Sequence, residues 1–242
     1  MFDIINEILE MPYHKNYSAV SGAVHNIAKH EDAVEQVFIK NGLIKTKMPK
    51  IPVATGEFYK VGPKKGTPKT KDLNRKDIRD RWVKGIDTEY MLDNSYISQP
   101  TGKNDSPDFI VKVNGRIFMV ECKSASGATP IYNSSYAKEN YIYVLTSEKY
   151  NATTVFLGQE IVSTKAAELY DARQQAHTEV DKKHDRILLE SGADVNNRGL
   201  NYYNREMYGQ EGAKEKTDYF THKRRSVAEN EVREFVLWSI VF

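Results

Sequence analysis

Alternating apolar and polar positions identify a β-hairpin near the middle of the chain. In residues 106–123, SPDFIVKVNGRIFMVECK, this alternation runs on both sides of Asn114 and Gly115. Asn-Gly is the dipeptide that best fits a two-residue hairpin turn. Counting outward from this turn predicts that Asp108 on the first strand faces Glu121 on the second.

The facing carboxylates need a compensating cation. Opposed strand residues have Cβ atoms about 4.5–5.5 Å apart, and two charges about 5 Å apart repel by roughly 3 kcal/mol at an effective dielectric near 20. Lys123 shares a face with Glu121, whereas Cys122 points to the other face. Either Lys123 forms a surface ion pair there, or a divalent cation lies between the oxygens.

Apolar spacing of three and four residues predicts a first helix over residues 18–41, ended by Gly42. Its apolar stripe consists of Val20, Val24, Ile27, Val34 and Phe38. Glu31 occupies the missing position of that stripe, where an unpaired charge is costly, so it needs a partner. Glu35, one turn later, is the competing candidate, and a shift of helical phase would leave Glu31 solvated.

The rest of the pattern predicts two more strands and two more helices. The strands cover residues 141–146 and 153–157, and a long helix covers residues 164–191, ended by Gly192. A final helix is predicted from SVAENEVREFVLW. The order of helix, hairpin, strand, strand and helix indicates an α/β (α+β) fold with a central mixed β-sheet flanked by helices.

Charge is concentrated in one segment. The whole chain has a formal net charge of +2, yet residues 44–84 contain thirteen Lys or Arg against four Asp or Glu, a local net of +9. Such a segment is typical of proteins that contact nucleic-acid phosphates. Its Gly, Pro and Lys content is equally typical of a solvated, mobile loop.

The cysteine content and the length of the apolar runs indicate the cellular compartment. A single cysteine excludes an internal disulfide, and no apolar run approaches the roughly 18 residues of a membrane span. The N-terminal stretch lacks the basic region of a signal peptide. We therefore expect a cytoplasmic protein with no membrane partner.

The hairpin carries a recognisable motif. Pro107-Asp108, followed after a twelve-residue gap by Glu121-Cys122-Lys123, resembles the motif of the PD-(D/E)XK nuclease superfamily. Glu31 stands where the core helix of that superfamily often supplies an acidic residue. The segment from QPTGKNDSPD through YIYVL and TTVFLG is similar in style to type II restriction endonucleases.

The resemblance implies a single nuclease domain over residues 1–242. It implies a restriction-endonuclease-like α-β-β-β-α-β core over about residues 20–190, with the basic segment 44–84 as an insertion. Residues 192–242 would add a C-terminal helical and recognition segment.

The resemblance also implies Mg²⁺-dependent hydrolysis of DNA phosphodiester bonds. Asp108, Glu121 and the Cys122 backbone carbonyl would bind one or two Mg²⁺ ions. Lys123 would orient or deprotonate the attacking water, or stabilise charge in the transition state. Glu31, or alternatively Glu35, would bind the second ion or a water molecule.

Candidate DNA contacts fall into two classes, and for each the alternative is a solvated surface. Phosphate contacts are expected from basic residues of the 44–84 segment, namely Lys64, Lys65, Lys69, Arg75 and Arg79. Base contacts are expected from side chains that can bond purine edges, namely Arg173, Gln174, Gln175, Asn197, Arg198, Asn201, Asn204 and Arg205.

The leading hypothesis is a type II restriction endonuclease from a prokaryotic cell, cutting double-stranded DNA at a short sequence. Such an enzyme is expected to act as a homodimer, because palindromic sites mirror two-fold symmetry, and a cognate DNA methyltransferase acting on the same site is a partner that the family allows. The alternatives are a structure-selective repair or recombination nuclease of the same fold, and a non-catalytic nucleic-acid-binding module.

Overall fold

The computed structural model describes residues 1–14, 30–102, 105–132, 135–192, 207–210 and 217–237. The helices in these ranges are α1 (Phe2–Leu9), α2 (His30–Lys40), α3 (Arg75–Val83), α4 (Thr164–Glu190) and α5 (Arg225–Leu237). The strands are β1 (Ile44–Lys45), β2 (Pro52–Phe58), β3 (Pro68–Asp72), β4 (Ser95–Ser98), β5 (Phe109–Val113), β6 (Arg116–Ala125), β7 (Ile131–Tyr132), β8 (Tyr141–Ser147), β9 (Ala152–Leu157) and β10 (Tyr208–Gly209).

Six strands form one mixed sheet in the order β1-β4-β5-β6-β8-β9. The β1–β4 and β6–β8 pairs are parallel, and the other three neighbouring pairs are antiparallel. Helices cover both faces, so the prediction of a central mixed sheet flanked by helices is confirmed. β6, which carries the motif acid and lysine, lies inside this sheet with a neighbour on each side.

The central hairpin has the predicted turn and register. Phe109 pairs with Val120, and the turn residues Asn114 and Gly115 have φ values of 51° and 73°. Positive φ at both central positions is what a two-residue type I′ turn requires. Every residue of β5 is buried, including Lys112, because helices and loops cover both faces of the sheet.

Two hydrophobic clusters lie on opposite faces of the sheet. The first joins α1, α2 and α5 to side chains such as Phe109, Val120 and Cys122, and it confirms that Cys122 is a core residue. The second joins α3 and the start of α4 to side chains such as Ile110 and Tyr143. Glu121 and Lys123 alternate with Cys122 along β6 and therefore face the second cluster.

The first predicted helix can be compared with the structure only from residue 30 onward. In the described residues α2 begins at His30, and residues 15–29 with their share of the predicted stripe lie outside the described part. Val34 and Phe38 are fully buried, as predicted. The N-terminal helix α1 was not predicted, because its eight residues are too short for a clear period, yet it buries three isoleucines against the sheet.

The long helix α4 matches the predicted range within one residue. Its apolar stripe does not face the core, since no residue of α4 is buried and Leu169, Val180 and Ile187 are exposed. Only the first turns, with Ala166 and Tyr170, contact the second cluster. Among the described helices, α4 included, none has both the length and the apolarity that spanning a bilayer requires.

The basic segment 44–84 is not a loop. It contains β1, the antiparallel hairpin β2–β3 and helix α3. The Asn74 side chain caps α3 by accepting from the backbone N–H of Asp77 at 2.9 Å. Ile78 and Trp82 then anchor this helix in the second cluster.

One connection differs from the order that the resemblance implies. A helix was expected between the parallel strands β6 and β8, but the described residues of 126–140 form only turns and β7. Gly127 and Pro130 disfavour a helix in this short segment. The chain therefore crosses between the two parallel strands without the helix that usually makes such a connection.

Candidate active site

The hairpin brings Asp108 and Glu121 together at one end of the sheet. Asp108 immediately precedes β5, and its Oδ2 accepts a 2.8 Å hydrogen bond from the backbone N–H of Cys122. Lys123 Nζ donates to Glu121 Oε1 at 2.6 Å. The three motif side chains thus form one cluster, and those of Glu121 and Lys123 are only 9% and 14% exposed.

Gln99 adds a fourth side chain that sequence reasoning missed. Its Nε2 donates to Asp108 Oδ1 at 3.0 Å and to Glu31 Oε2 at 2.9 Å. Its backbone N–H donates to the Asp108 carbonyl at 2.7 Å, and its φ of 50° turns the chain just after β4. Gln99 therefore joins the helix acid to the motif aspartate, and the partner that Glu31 needed is this amide.

The hydrogen-bond partners of Glu31 and Glu35 distinguish between these two candidate acids. Glu35 Oε1 accepts from Lys45 Nζ at 2.5 Å and from the Tyr96 hydroxyl at 2.9 Å. These partners lie on β1 and β4, so Glu35 is occupied away from Asp108. Glu31 is the acid of α2 that reaches the motif.

The cluster contains more negative than positive charge. Burial and then the Asp108 carboxylate raise the pKa of Glu121 to about 7, and together they outweigh the attraction of Lys123. Burial also raises the pKa of Asp108, against its hydrogen bonds and Lys123. Burial alone would lower the pKa of Lys123, but Glu121 and Asp108 raise it overall. Two carboxylates share one ammonium group, so each acid is poorly compensated while the lysine remains charged.

One buried carboxylate oxygen in the cluster has no hydrogen-bond partner. Glu121 Oε2 has no hydrogen-bond partner in the structure, although the residue is only 7% exposed. Among the described residues, no three His, Cys, Asp or Glu side chains converge closely enough to hold a metal, because the Gln99 amide lies between Glu31 and Asp108. The donors at hand are carboxylate, amide and backbone oxygens, which are the ligands that Mg²⁺ prefers.

Arg79 on α3 holds the turn that leads into the motif. Its Nη1 donates to the Ser106 carbonyl at 2.8 Å and lies 3.4 Å from Asp105 Oδ1. The side chain is only 17% exposed. The guanidinium is thus committed to the turn before Asp108, and the predicted phosphate contact of Arg79 would have to compete with these bonds.

A cleft of about 580 Å³ opens beside this turn, between α3 and α4. Arg79, Ser106 and Tyr141 line it from the motif side, and Gln174 lines it from α4. Gln174 is thus brought near the candidate site, where its Nε2 lies 3.5 Å from Ser135 Oγ.

The other predicted DNA contacts are dispersed. Lys64 and Lys65 are exposed between β2 and β3, and Arg75 is exposed at the start of α3. Lys69 is ion-paired with Glu57 at 3.0 Å. Two further candidates are exposed on α4, Arg173 and Gln175. The remaining candidates lie outside the described residues, namely Asn197, Arg198, Asn201, Asn204 and Arg205.

Comparisons with known proteins identified no similar protein. The chain matches no protein-family model, no curated protein and no solved structure. Any functional conclusion therefore depends on the motif and on the geometry of this site.

Proposed function

We propose that this chain is a Mg²⁺-dependent nuclease of the PD-(D/E)XK type, which hydrolyses phosphodiester bonds in double-stranded DNA at a short sequence as a type II restriction endonuclease does. One observation carries the proposal. Asp108, Glu121 and Lys123 form a buried cluster, and the amide of Gln99 links Asp108 to Glu31. Asp108, Glu121 and Lys123 are the motif residues, and Glu31 is the helix acid that the resemblance implies.

The charge of the cluster favours a cation site over a structural ion pair. A structural pair needs one acid and one base, and burying further charge is costly. Here two buried acids face one lysine, and Glu121 retains an oxygen without a hydrogen-bond partner. A divalent cation would compensate the second acid and use that oxygen.

Asp108, Glu121 and the Cys122 carbonyl would hold the cation, and Glu31 would hold a second ion or the attacking water. When bound, Mg²⁺ supplies Lewis-acid stabilisation of the charge that develops on the phosphoryl oxygens. Without a metal ion, Glu121 and Asp108 raise the pKa of Lys123. Its ammonium group would act as a charged donor that stabilises the transition state, or it would orient or deprotonate the attacking water.

The overall fold supports the proposal in part. The mixed sheet flanked by helices is compatible with the core that the resemblance implies, although the helix expected between β6 and β8 is missing. The cleft between α3 and α4 is lined by Asp105 and Ser106, the residues of the turn just before the motif.

The deciding experiment is incubation of the purified protein with phage DNA of known sequence, in Mg²⁺ and in EDTA. Discrete fragments that require Mg²⁺ are expected, and Asp108→Asn should abolish them. The control Asp181→Asn changes a carboxylate on α4, away from the cluster, and should cut normally. Mg²⁺-dependent cutting only of branched DNA would favour a structure-selective nuclease, and no cutting of any DNA would overturn the proposal.

A further inference from the structure

The hairpin formed by β2 and β3, residues 52–72, extends outward from the central sheet; we call it the basic hairpin. Its two strands pair only with each other, and nearly all of their residues are exposed. The base is fixed, because Ile51 is buried in the second cluster and its carbonyl accepts from the Leu73 N–H at 2.9 Å. The basic hairpin is therefore a projection with a firm base.

The end of the basic hairpin has a defined shape. The Tyr59 N–H donates to the Thr67 carbonyl at 3.0 Å, and the Gly66 N–H donates back to Tyr59 at 2.9 Å. Gly62 has a φ of 79°, in the left-handed region where a side chain would add strain. This turn presents Val61 to solvent with 80% of its surface exposed.

Lysines surround that apolar tip. The basic hairpin contains five lysines and two acids, and only Lys69 forms a salt bridge, with Glu57, among the described residues. Lys60, Lys64 and Lys65 are exposed next to Val61. Val61 buries little of its surface in the fold, and the three exposed ammonium groups beside it would complement a polyanion.

The dimensions fit a groove of duplex DNA. At about 3.3 Å per residue, the seven residues of β2 span roughly 23 Å, and a two-stranded ribbon fits the major groove, which is about 12 Å wide. Apolar tips of DNA-binding proteins contact base edges or wedge between base steps. Lysines beside such a tip would be placed to contact the phosphates on either side of the groove.

The base of the basic hairpin leads directly to the candidate active site. Leu73 is followed by α3, and Arg79 of that helix holds the Ser106 carbonyl two residues before Asp108. DNA bound along the basic hairpin would therefore be held by the element that fixes the motif turn. This connection favours nucleic acid over a membrane surface as the partner.

We propose that the basic hairpin inserts its tip into a groove of duplex DNA, with Val61 against the bases and Lys60, Lys64 and Lys65 on the flanking phosphates. The inference rests on the proposed function only in taking duplex DNA as the substrate. It is tested by binding in Ca²⁺ and in EDTA, so that neither outcome depends on cleavage.

The first measurement determines how the affinity for a short DNA duplex depends on salt concentration in two triple variants. Replacing Lys60, Lys64 and Lys65 by alanine should lower the slope of log K against log salt by about 2.7, at roughly 0.9 per phosphate contact. When salt rises fourfold, the factor by which affinity falls should then be roughly 40 times smaller for the variant than for the wild type. A matched control replaces three exposed lysines elsewhere, namely Lys40, Lys149 and Lys223, and should leave the slope unchanged. Equal slopes for the two variants would overturn the inference.

The second measurement locates the tip on the DNA. Cys122, the sole cysteine, is buried, so a thiol-reactive iron chelate would label Val61→Cys selectively. Strand scission confined to a few adjacent nucleotides on both strands is expected, with Lys223→Cys as the control giving none. If the labelled Val61→Cys protein binds the duplex but cuts neither strand, groove insertion is refuted. It is also refuted if the basic hairpin is required for binding to anionic vesicles and the protein does not bind duplex DNA.

The two proposals fail separately in these experiments. Local scission by the labelled tip, together with no cutting in Mg²⁺, would support the groove-binding hairpin and refute the nuclease. Mg²⁺-dependent cutting, together with an unchanged salt slope in the lysine variant, would refute the groove-binding hairpin and leave the nuclease standing.

Discussion

Replacing Glu121 by glutamine is expected to stabilise the metal-free protein while abolishing its activity. Glutamine keeps the shape of the side chain and still offers an oxygen to Lys123, but it removes the charge that faces Asp108. Asp108 and Lys123 are then left as one acid and one base. A cation site would lose a ligand charge, so the same change should prevent Mg²⁺-dependent cutting.

The size of the stabilisation follows from the pKa of Glu121. The folded protein raises it from an ordinary value of 4.5 to about 7, with the attraction of Lys123 already included. Because the folded state holds this proton more tightly, the contribution of Glu121 to stability is greatest below pH 4.5 and is lost as pH rises from about 4.5 to about 7. At about 1.4 kcal/mol for each pH unit, the ionised glutamate costs the fold roughly 3 kcal/mol above pH 7.

Urea unfolding in EDTA measures this difference. Glu121→Gln should exceed the wild type by roughly 3 kcal/mol at pH 8 and match it near pH 4.5. The control Glu168→Gln removes an exposed carboxylate from α4 and should match the wild type at both values. Equal stability of Glu121→Gln and wild type at pH 8, or a difference that does not change with pH, would refute the charge argument; full cutting by Glu121→Gln would refute the site.

Four further predictions concern single side chains and use the same preparations. Lys123→Ala should lower the cutting rate at least about 100-fold, with DNA binding in Ca²⁺ retained. Lys123→Arg, which keeps the positive charge, should partly restore the cutting rate. Gln99→Ala should lower the rate or the Mg²⁺ affinity roughly 10- to 100-fold, seen as a higher Mg²⁺ requirement. Arg79→Ala should reduce cutting but leave the salt slope of binding unchanged, since a phosphate contact would lower the slope by about 0.9. Burial lowers the pKa of His30 to about 4, so the wild type loses stability as pH falls from about 6.5 to about 4, and His30→Gln should lose this dependence in urea unfolding.

Local signals explain the parts of the fold that the sequence predicted. Asn114 and Gly115 fix the hairpin turn, and the turn fixes the register that places Asp108 opposite Glu121. The strands β8 and β9 are short runs rich in aromatic and β-branched residues between turns. The end of α4 is marked by Gly192, with a φ of 67°. Each of these signals lies within the element that it predicts.

Features that depend on distant contacts could not be predicted in this way. The choice between Glu31 and Glu35 depends on Lys45 and Tyr96, which occupy Glu35 from strands β1 and β4. Gln99 looks like an ordinary loop residue, because its two carboxylate partners come from a helix and a hairpin that meet only in the folded protein. The helical spacing of the α4 stripe likewise gave no sign that only the first turns of the helix contact the rest of the fold.

The positions of Gln99 and Arg79 account for how this site retains its buried charge. Each supplies donors from outside the motif, Gln99 to the Asp108 carboxylate and Arg79 to the Ser106 carbonyl before it. These contacts fix the acids in place although the acids repel one another, and a buried like-charge pair of this kind is unfavourable for stability alone. Replacing a whole buried ion pair by apolar residues of similar volume is often neutral or stabilising, so retaining the repulsion between Asp108 and Glu121 is consistent with the proposed cation site.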